Sequence, residues 1–154
     1  MITKEKCSGC SACKYTCPVN AIEIKTDELT GFKLAEIDTT KCINCGKCDS
    51  VCPHITVNLH DTLEQKRYAL KSLDEEVLKN SSSGGAFTHI TLPLLKQGWK
   101  VVGVRWNKDW HAEYAVADSV EEWEKFRKSK YMQADIGDIY PRVKELLDKG
   151  ERVV

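Results

Sequence analysis

The chain has 154 residues, enough for one ordinary domain or two small ones. Its 42% hydrophobic and 30% charged residues are typical of a globular chain, which excludes wholesale disorder. The 23 Lys and Arg residues balance the 23 Asp and Glu residues, so we expect no nucleic-acid partner. No apolar run approaches the ~18 residues of a membrane span.

All eight cysteines lie in the first 52 residues, in two runs with the same spacing. Each run has the form C-x2-C-x2-C-x3-C-P, and the second repeats the first at an offset of 35 residues. This internal repeat predicts two half-modules related by a pseudo-twofold axis. The runs are Cys7, Cys10, Cys13 and Cys17 before Pro18, and Cys42, Cys45, Cys48 and Cys52 before Pro53.

The spacing separates three chemistries that use many cysteines. Disulfides need an oxidising compartment, whereas no export signal begins this sequence. Zinc sites usually pair two C-x2-C motifs across a longer loop. A cubane iron–sulfur cluster needs four thiolates, and this run is the one that bacterial ferredoxins use. We therefore predict two [4Fe–4S] clusters in a cytoplasmic protein and keep eight structural zinc-binding thiols as the alternative.

Residues 1–60 resemble the bacterial two-cluster ferredoxins through the eight cysteines and the proline after each run. In that family the fourth cysteine of each run ligates the other cluster, so neither half is complete alone and folding depends on metal. Two oxidised clusters with their thiolates add about −4 charge, which favours a redox partner with a basic face. The resemblance implies a first cluster on Cys7, Cys10, Cys13 and Cys52, and a second on Cys42, Cys45, Cys48 and Cys17.

Short strands are predicted within this module, over 21–25 and 32–37, with another over 56–59. The composition changes after residue 60, because this part of the chain has no cysteine and contains all four tryptophans. The polar segment 61–66 is predicted to link the ferredoxin domain, 1–60, to a second domain, 67–154. The predicted fold class is α+β: a ferredoxin-like two-cluster module with short strands, followed by a small mixed α/β domain.

The helix boundaries of the second domain are predicted from residues that typically begin or interrupt a helix. Asp74, Ser119 and Asp138 are expected helix N-caps, and Pro93 is expected to kink or split its helix. Residues 151–154 have the pattern of a strand beginning, so we expect a chain truncated within its sheet. Strands are predicted at 67–71, 99–106 and 112–117, and helices at 74–79, 86–97, 119–127 and 138–149.

Two features of this domain suggest binding chemistry. Loop 81–85, Ser-Ser-Ser-Gly-Gly, opens a helix whose free N–H groups suit a phosphate, although the P-loop lysine and the G-x-G-x-x-G pattern are missing. The basic segment 125–131 ends at Tyr131 and suits the phosphate of a flavin or deazaflavin. Taken singly, the first pattern is more typical of an ordinary loop and the second of a solvated helix face.

The order of these motifs supports a more specific interpretation. Ser-Gly-Gly precedes an apolar helix, Lys-Val-Val-Gly-Val follows, and Lys-Ser-Lys-Tyr-Met-Gln precedes Asp-Ile-Gly-Asp-Ile-Tyr. Residues 67–154 therefore resemble the N-terminal region of the coenzyme F420 hydrogenase/dehydrogenase beta-subunit family. In that family an iron–sulfur region passes electrons to bound FAD, which exchanges a hydride with F420.

The resemblance implies an oxidoreductase subunit of the iron–sulfur flavoprotein type more firmly than it implies F420. It places Ser83, Gly84, Gly85 and Lys130 near one site that binds a flavin in the full-length protein. Electrons would arrive through the two clusters from a redox partner protein or subunit. The alternative is a ferredoxin-type carrier with an α/β docking domain and no catalytic activity of its own.

Overall fold

The computed structural model describes residues 4–56 and 66–154 and divides the chain into two compact units, Met1–Gln65 and Lys66–Val154. The predicted linker 61–66 lies outside the described residues except for Lys66. The predicted strand 56–59 also lies outside them except for Thr56, which ends a helix. Within the described ranges, no helix has the length and apolar content needed to cross a bilayer.

The first unit is built around one hairpin. Strands β1 and β2 pair antiparallel, with Ile22 opposite Ile37 and Thr26 opposite Lys33, so both predicted strands are confirmed to within one residue. Asp27 closes the turn between them by accepting hydrogen bonds from the backbone N–H and the hydroxyl of Thr30. The elements are a 3-10 helix Lys4–Lys6, α1 Ala12–Thr16, β1 Ile22–Thr26, β2 Lys33–Ile37, α2 Lys47–Ser50 and α3 Pro53–Thr56.

The sequence repeat is also a repeat of backbone conformation. Gly9 and Asn44 occupy equivalent positions and both have positive φ, 67° and 52°. Ser11 and Gly46, the next equivalent pair, also have positive φ, and each lies just before a helix, α1 or α2. Each of their carbonyls accepts the N–H three residues ahead at 3.0 Å. The two cysteine runs therefore fold in the same way locally.

The second unit places a short sheet against helices. Strands β3 and β4 pair antiparallel, with Val101 opposite Ala117 and Trp106 opposite Ala112. Next to β3, Lys100 forms an isolated parallel bridge with Val153, which agrees with the strand start predicted at 151–154. The elements are α4 Glu75–Lys79, α5 Ala86–Lys96, β3 Val101–Trp106, β4 Ala112–Ala117, α6 Val120–Glu124 and α7 Ile139–Asp148. Together the two units confirm the α+β class.

The predicted helix caps have mixed outcomes. Asp74 accepts hydrogen bonds from the N–H groups of Glu76 and Val77, and Ser119 accepts one from Glu122, so these two caps are confirmed. Asp138 occupies the predicted N-cap position of α7, but its backbone is not extended and its side chain makes no cap hydrogen bond. Pro93 lies inside one helix, α5, which does not split there.

Two predicted elements are wrong for local reasons. Residues 67–71 form no strand, because this segment packs on loop 81–85 instead of a sheet: the N–H of Ser72 donates to the carbonyl of Gly84 at 2.8 Å. Helix α6 ends at Glu124, not at Arg127, because the next N–H groups bond three residues back, as in a 3-10 turn.

The core of the second unit centres on Trp123, which is 1% exposed. Its ring stacks on Phe87 with centroids 5.6 Å apart, and its Nε1 donates to the hydroxyl of Thr91 at 2.7 Å. Gly103 lies so close to Phe126 that a Cβ there would come within 2.5 Å of the ring. Leu95, Val101, Ala115 and Ala117 complete the buried cluster.

Candidate iron–sulfur centres

Two cavities in the first unit draw cysteines from both runs. Cys52, from the second run, lies in the first cavity with the first three cysteines of the first run. Cys17, from the first run, lies in the second cavity with the first three cysteines of the second run, while Cys48 lines both cavities. The sets are Cys7, Cys10, Cys13, Cys48 and Cys52, and Cys17, Cys42, Cys45 and Cys48.

This arrangement is the one that crossed ligation requires. The short loops hold three thiols of a run together, and the fourth thiol follows a helical turn that carries it to the other cavity. The assignment of individual cysteines to clusters stays a prediction, and its test is given in the Discussion.

Apolar side chains from the hairpin wall both cavities. Ile22 and Ile37 pair across the sheet and line each cavity. Ala35 lies two residues before Ile37, on the same face of β2, and lines the first cavity. The period-two pattern of the two predicted strands could have placed Ile22 and Ile37 on one face of the hairpin. Asp49 also lines both cavities, and no sequence signal pointed to it.

Backbone N–H groups approach three of the cysteine sulfurs. Gly9 donates to Sγ of Cys7 at 3.4 Å, and its equivalent Asn44 donates to Sγ of Cys42 at 3.5 Å. The N–H of Ala21 donates to Sγ of Cys17 at 3.3 Å. Such bonds stabilise negative charge on a sulfur and so shift the reduction potential of a bound cluster.

The donor set fits an iron–sulfur cubane. Burial, together with the neighbouring Cys10, raises the pKa of the Cys13 thiol to about 11, and burial likewise raises the pKa of Cys48. A coordinating metal offsets this because its positive charge deprotonates the thiol. Among the described residues, no three His, Cys, Asp or Glu side chains are arranged to hold a single metal ion. A cubane distributes four thiolates over four different irons, so its ligands need not converge on one point.

In the second unit, loop 81–85 and segment 125–130 are in contact. The N–H of Ser129 donates to the hydroxyl of Ser82 in the loop at 2.7 Å. The guanidinium of Arg127 donates to the carbonyl of Val77, in α4 just before the loop, at 3.4 Å. The two features singled out in the sequence therefore lie side by side. Neither of these two contacts was foreseen, because they join residues about fifty positions apart.

The two predicted glycines each have a packing role. A Cβ on Gly84 would lie 1.8 Å from the carbonyl oxygen of Leu70, so only glycine fits there. Gly85 has φ 86° and sits immediately before α5, where a left-handed residue is needed. Ser83, between this pair and the contact at Ser82, is exposed.

The ammonium of Lys130 is held by the backbone. Its Nζ donates to the carbonyls of Lys125, Arg127 and Lys128 at 2.9, 2.8 and 3.1 Å. Burial lowers its pKa. Lys130 thereby fixes the turn that follows α6. The predicted contact of Ser83, Gly84, Gly85 and Lys130 with a flavin stays a prediction.

Paired cysteine cavities beside a short hairpin define the class as a ferredoxin-type iron–sulfur protein. Residues 6–55 match the 4Fe-4S dicluster domain family, and residues 67–139 match the family described as coenzyme F420 hydrogenase/dehydrogenase, beta subunit N-term. The chain therefore joins a 4Fe-4S dicluster domain to the N-terminal domain of the F420 hydrogenase/dehydrogenase beta-subunit family. It contains an iron–sulfur electron-transfer module followed by a beta-subunit-type domain.

Three curated relatives illustrate these similarities. An F(420)H(2) dehydrogenase subunit of Methanosarcina mazei is 25% identical over 99% of this chain, which covers 45% of that protein. A ferredoxin-like protein from the nif region of Sinorhizobium fredii is 38% identical over 34% of this chain and 81% of that protein. A subunit of the ion-translocating oxidoreductase complex of Methanosarcina acetivorans is 43% identical over 34% of this chain and 18% of that protein. The chain thus spans less than half of the first relative.

Proposed function

We propose that this chain is the electron-input part of a flavin-dependent oxidoreductase subunit, in which two [4Fe–4S] clusters with crossed ligands connect a redox partner to a flavin. The supporting observation is that each of two cavities is lined by cysteines from both runs. A cluster of this type exchanges one electron at a time, and a flavin combines two of them into a hydride. In this proposal the function is cytoplasmic, because cluster thiolates need a reducing compartment.

In this proposal, residues of the first unit shield the two clusters from solvent and shift their reduction potentials. Ile22 and Ile37 give both cavities apolar lining, which matters because the dielectric around a cluster helps set its potential. The equivalent N–H bonds of Gly9 and Asn44 stabilise one thiolate in each run. Such equivalent bonds favour clusters of related potential, as a relay needs.

The proposed flavin binding is supported by features of the second unit. The beta-subunit match covers 67–139, and the first relative carries the name of an F(420)H(2) dehydrogenase subunit. In this proposal the start of α5, next to Gly85, supplies N–H groups to a phosphate, with Ser83 exposed at its mouth. Lys130 acts as a positioning residue that fixes the turn of segment 125–130, in which the N–H of Ser129 bonds to the loop. The deazaflavin F420 would be the hydride partner.

A carrier without catalysis is the second candidate. It is favoured by the three carbonyl acceptors of Lys130 and by the close packing of Gly84 on Leu70, because both give these residues a structural purpose. In that case 66–154 would dock a partner and bind no flavin.

The cluster content is tested by chemical analysis of anaerobically prepared protein. We expect about eight irons and about eight acid-labile sulfides per chain, since each four-cysteine set holds one cubane. The broad visible absorbance should bleach on reduction with dithionite. Stoichiometric zinc without sulfide would instead support the zinc alternative.

The flavin site is tested in the full-length protein, where flavin binding is expected, by titrating FAD and following the quenching of its fluorescence. We expect Ser83→Asp to weaken binding on the order of tenfold, because a carboxylate at the loop repels the diphosphate. Ser83→Ala, which adds no charge, is the matched control and should bind nearly as well as the unaltered chain. Equal affinities for Ser83→Asp and Ser83→Ala, or no binding of FAD to the unaltered protein, would support the carrier.

A further inference from the structure

The two cysteine loops are equivalent in sequence but differ in exposure. We call residues 8–12 the first loop and residues 43–47 the second loop. Every residue of the second loop is exposed, whereas Gly9 and Ser11 in the first loop are buried. Cys45 is exposed, and its equivalent Cys10 is half-buried. Because the two loops have the same backbone conformation, their difference in exposure comes from what packs around each loop.

The side chains of the second loop also depart from the repeat. Ile43 stands where the first loop has Ser8, and Lys47 stands where it has Ala12. Ile43 is 59% exposed and lines the second cavity together with Lys47. Although Ile43 lines the cavity, more than half of its surface faces solvent beside a lysine, and apolar contacts with a charged rim are typical of protein interfaces.

One cation of the second loop has no side-chain partner among the described residues, although it borders the cavity proposed to hold an anionic cluster. Lys41 pairs with Asp38 at 3.0 Å, and Asp49 lies half-buried at the wall of the cavity. Among the described residues, the ammonium of Lys47 has no hydrogen-bond or ion-pair partner. A carboxylate on an approaching surface would complement it.

We propose that the second loop is the surface at which electrons enter or leave the chain, docking a redox protein that presents carboxylates beside an apolar patch. This inference rests on the proposed clusters and adds that the second one, near Cys45, exchanges electrons with the partner, while the first lies deeper along the relay. The expected partner face is thus locally acidic, in contrast to the basic face expected from the total charge of the clusters.

The charge requirement is testable with two inorganic oxidants of opposite sign. The dithionite-reduced protein is mixed by stopped flow with cobalt(III)–EDTA, an anion bearing carboxylates, or with the hexaamminecobalt(III) cation. Each encounter moves one electron from [4Fe–4S]⁺ to cobalt, giving [4Fe–4S]²⁺ and cobalt(II). At low ionic strength we expect Lys47→Glu to slow the anionic oxidant about threefold and to accelerate the cationic one, and salt to remove both effects.

The matched control variants carry the same substitution at equivalent positions of the two loops. Ile43→Asp and Ser8→Asp place the same charge at equivalent positions of the two loops, and only Ile43→Asp should slow oxidation by cobalt(III)–EDTA. Lys14→Glu, on α1, should have little effect. Equal slowing by Ser8→Asp, or no effect of Lys47→Glu, would overturn the inference. Iron and sulfide analysis with paramagnetic resonance of every variant separates this failure from absence of the clusters.

Discussion

Replacing Cys17 by Ala should remove the cluster bound by the second run and leave the cluster of the first run in place. Cys17 lines the second cavity, so its loss leaves that cluster with three protein thiolates. Iron should fall from about eight to about four per chain. The spectrum of the reduced protein, measured by paramagnetic resonance, should resemble that of Cys45→Ala and differ from that of Cys10→Ala.

The reciprocal variant completes this test. Cys52 lines the first cavity, so Cys52→Ala should give the spectrum of Cys10→Ala. If instead Cys17→Ala resembled Cys10→Ala, each run would ligate its own cluster and the crossing would be wrong. Loss of both clusters from either variant would show that neither cavity holds a cluster by itself, as the metal dependence of folding allows.

Trp123→Ala should lower the free energy of unfolding of the second unit by about 3–5 kcal/mol, since it empties the centre of the core. Thr91→Val keeps the volume but removes the hydroxyl that accepts the indole N–H and donates to the carbonyl of Phe87, each at 2.7 Å, so we expect a loss of about 1–3 kcal/mol. Denaturant unfolding followed by far-ultraviolet circular dichroism measures both changes.

The control for this prediction is another tryptophan. Trp110 is 76% exposed in the turn between β3 and β4, so Trp110→Ala should change the stability by less than about 0.5 kcal/mol. A similar loss for Trp110→Ala and Trp123→Ala would contradict the assignment of the core.

The sequence predicted most accurately what is local. The strands at 21–25 and 32–37 and the caps at Asp74 and Ser119 each depend on residues a few positions apart, and the structure agrees with them. The antiparallel pair β3–β4 also belongs to this group, because a short turn connects its strands.

What the sequence failed to predict depends on distant partners. Residues 67–71 have the composition of a strand, but the carbonyl of Leu70 packs against Gly84 and no sheet edge receives them. Lys130 was selected for its positive charge, and a sequence does not show which carbonyls surround an ammonium. Exposure of the second loop is likewise invisible in a repeat whose two copies have the same cysteine pattern.

The sharing of cysteines between the cavities has a consequence for biosynthesis. A growing chain that has reached Cys17 carries one complete run, yet its first cavity still lacks Cys52 and its second cavity lacks three cysteines. With crossed ligands, iron delivered at that stage would find no complete set of four thiolates. Cluster insertion would then wait until nearly the whole first unit has left the ribosome, so the module would acquire both cofactors as one late event.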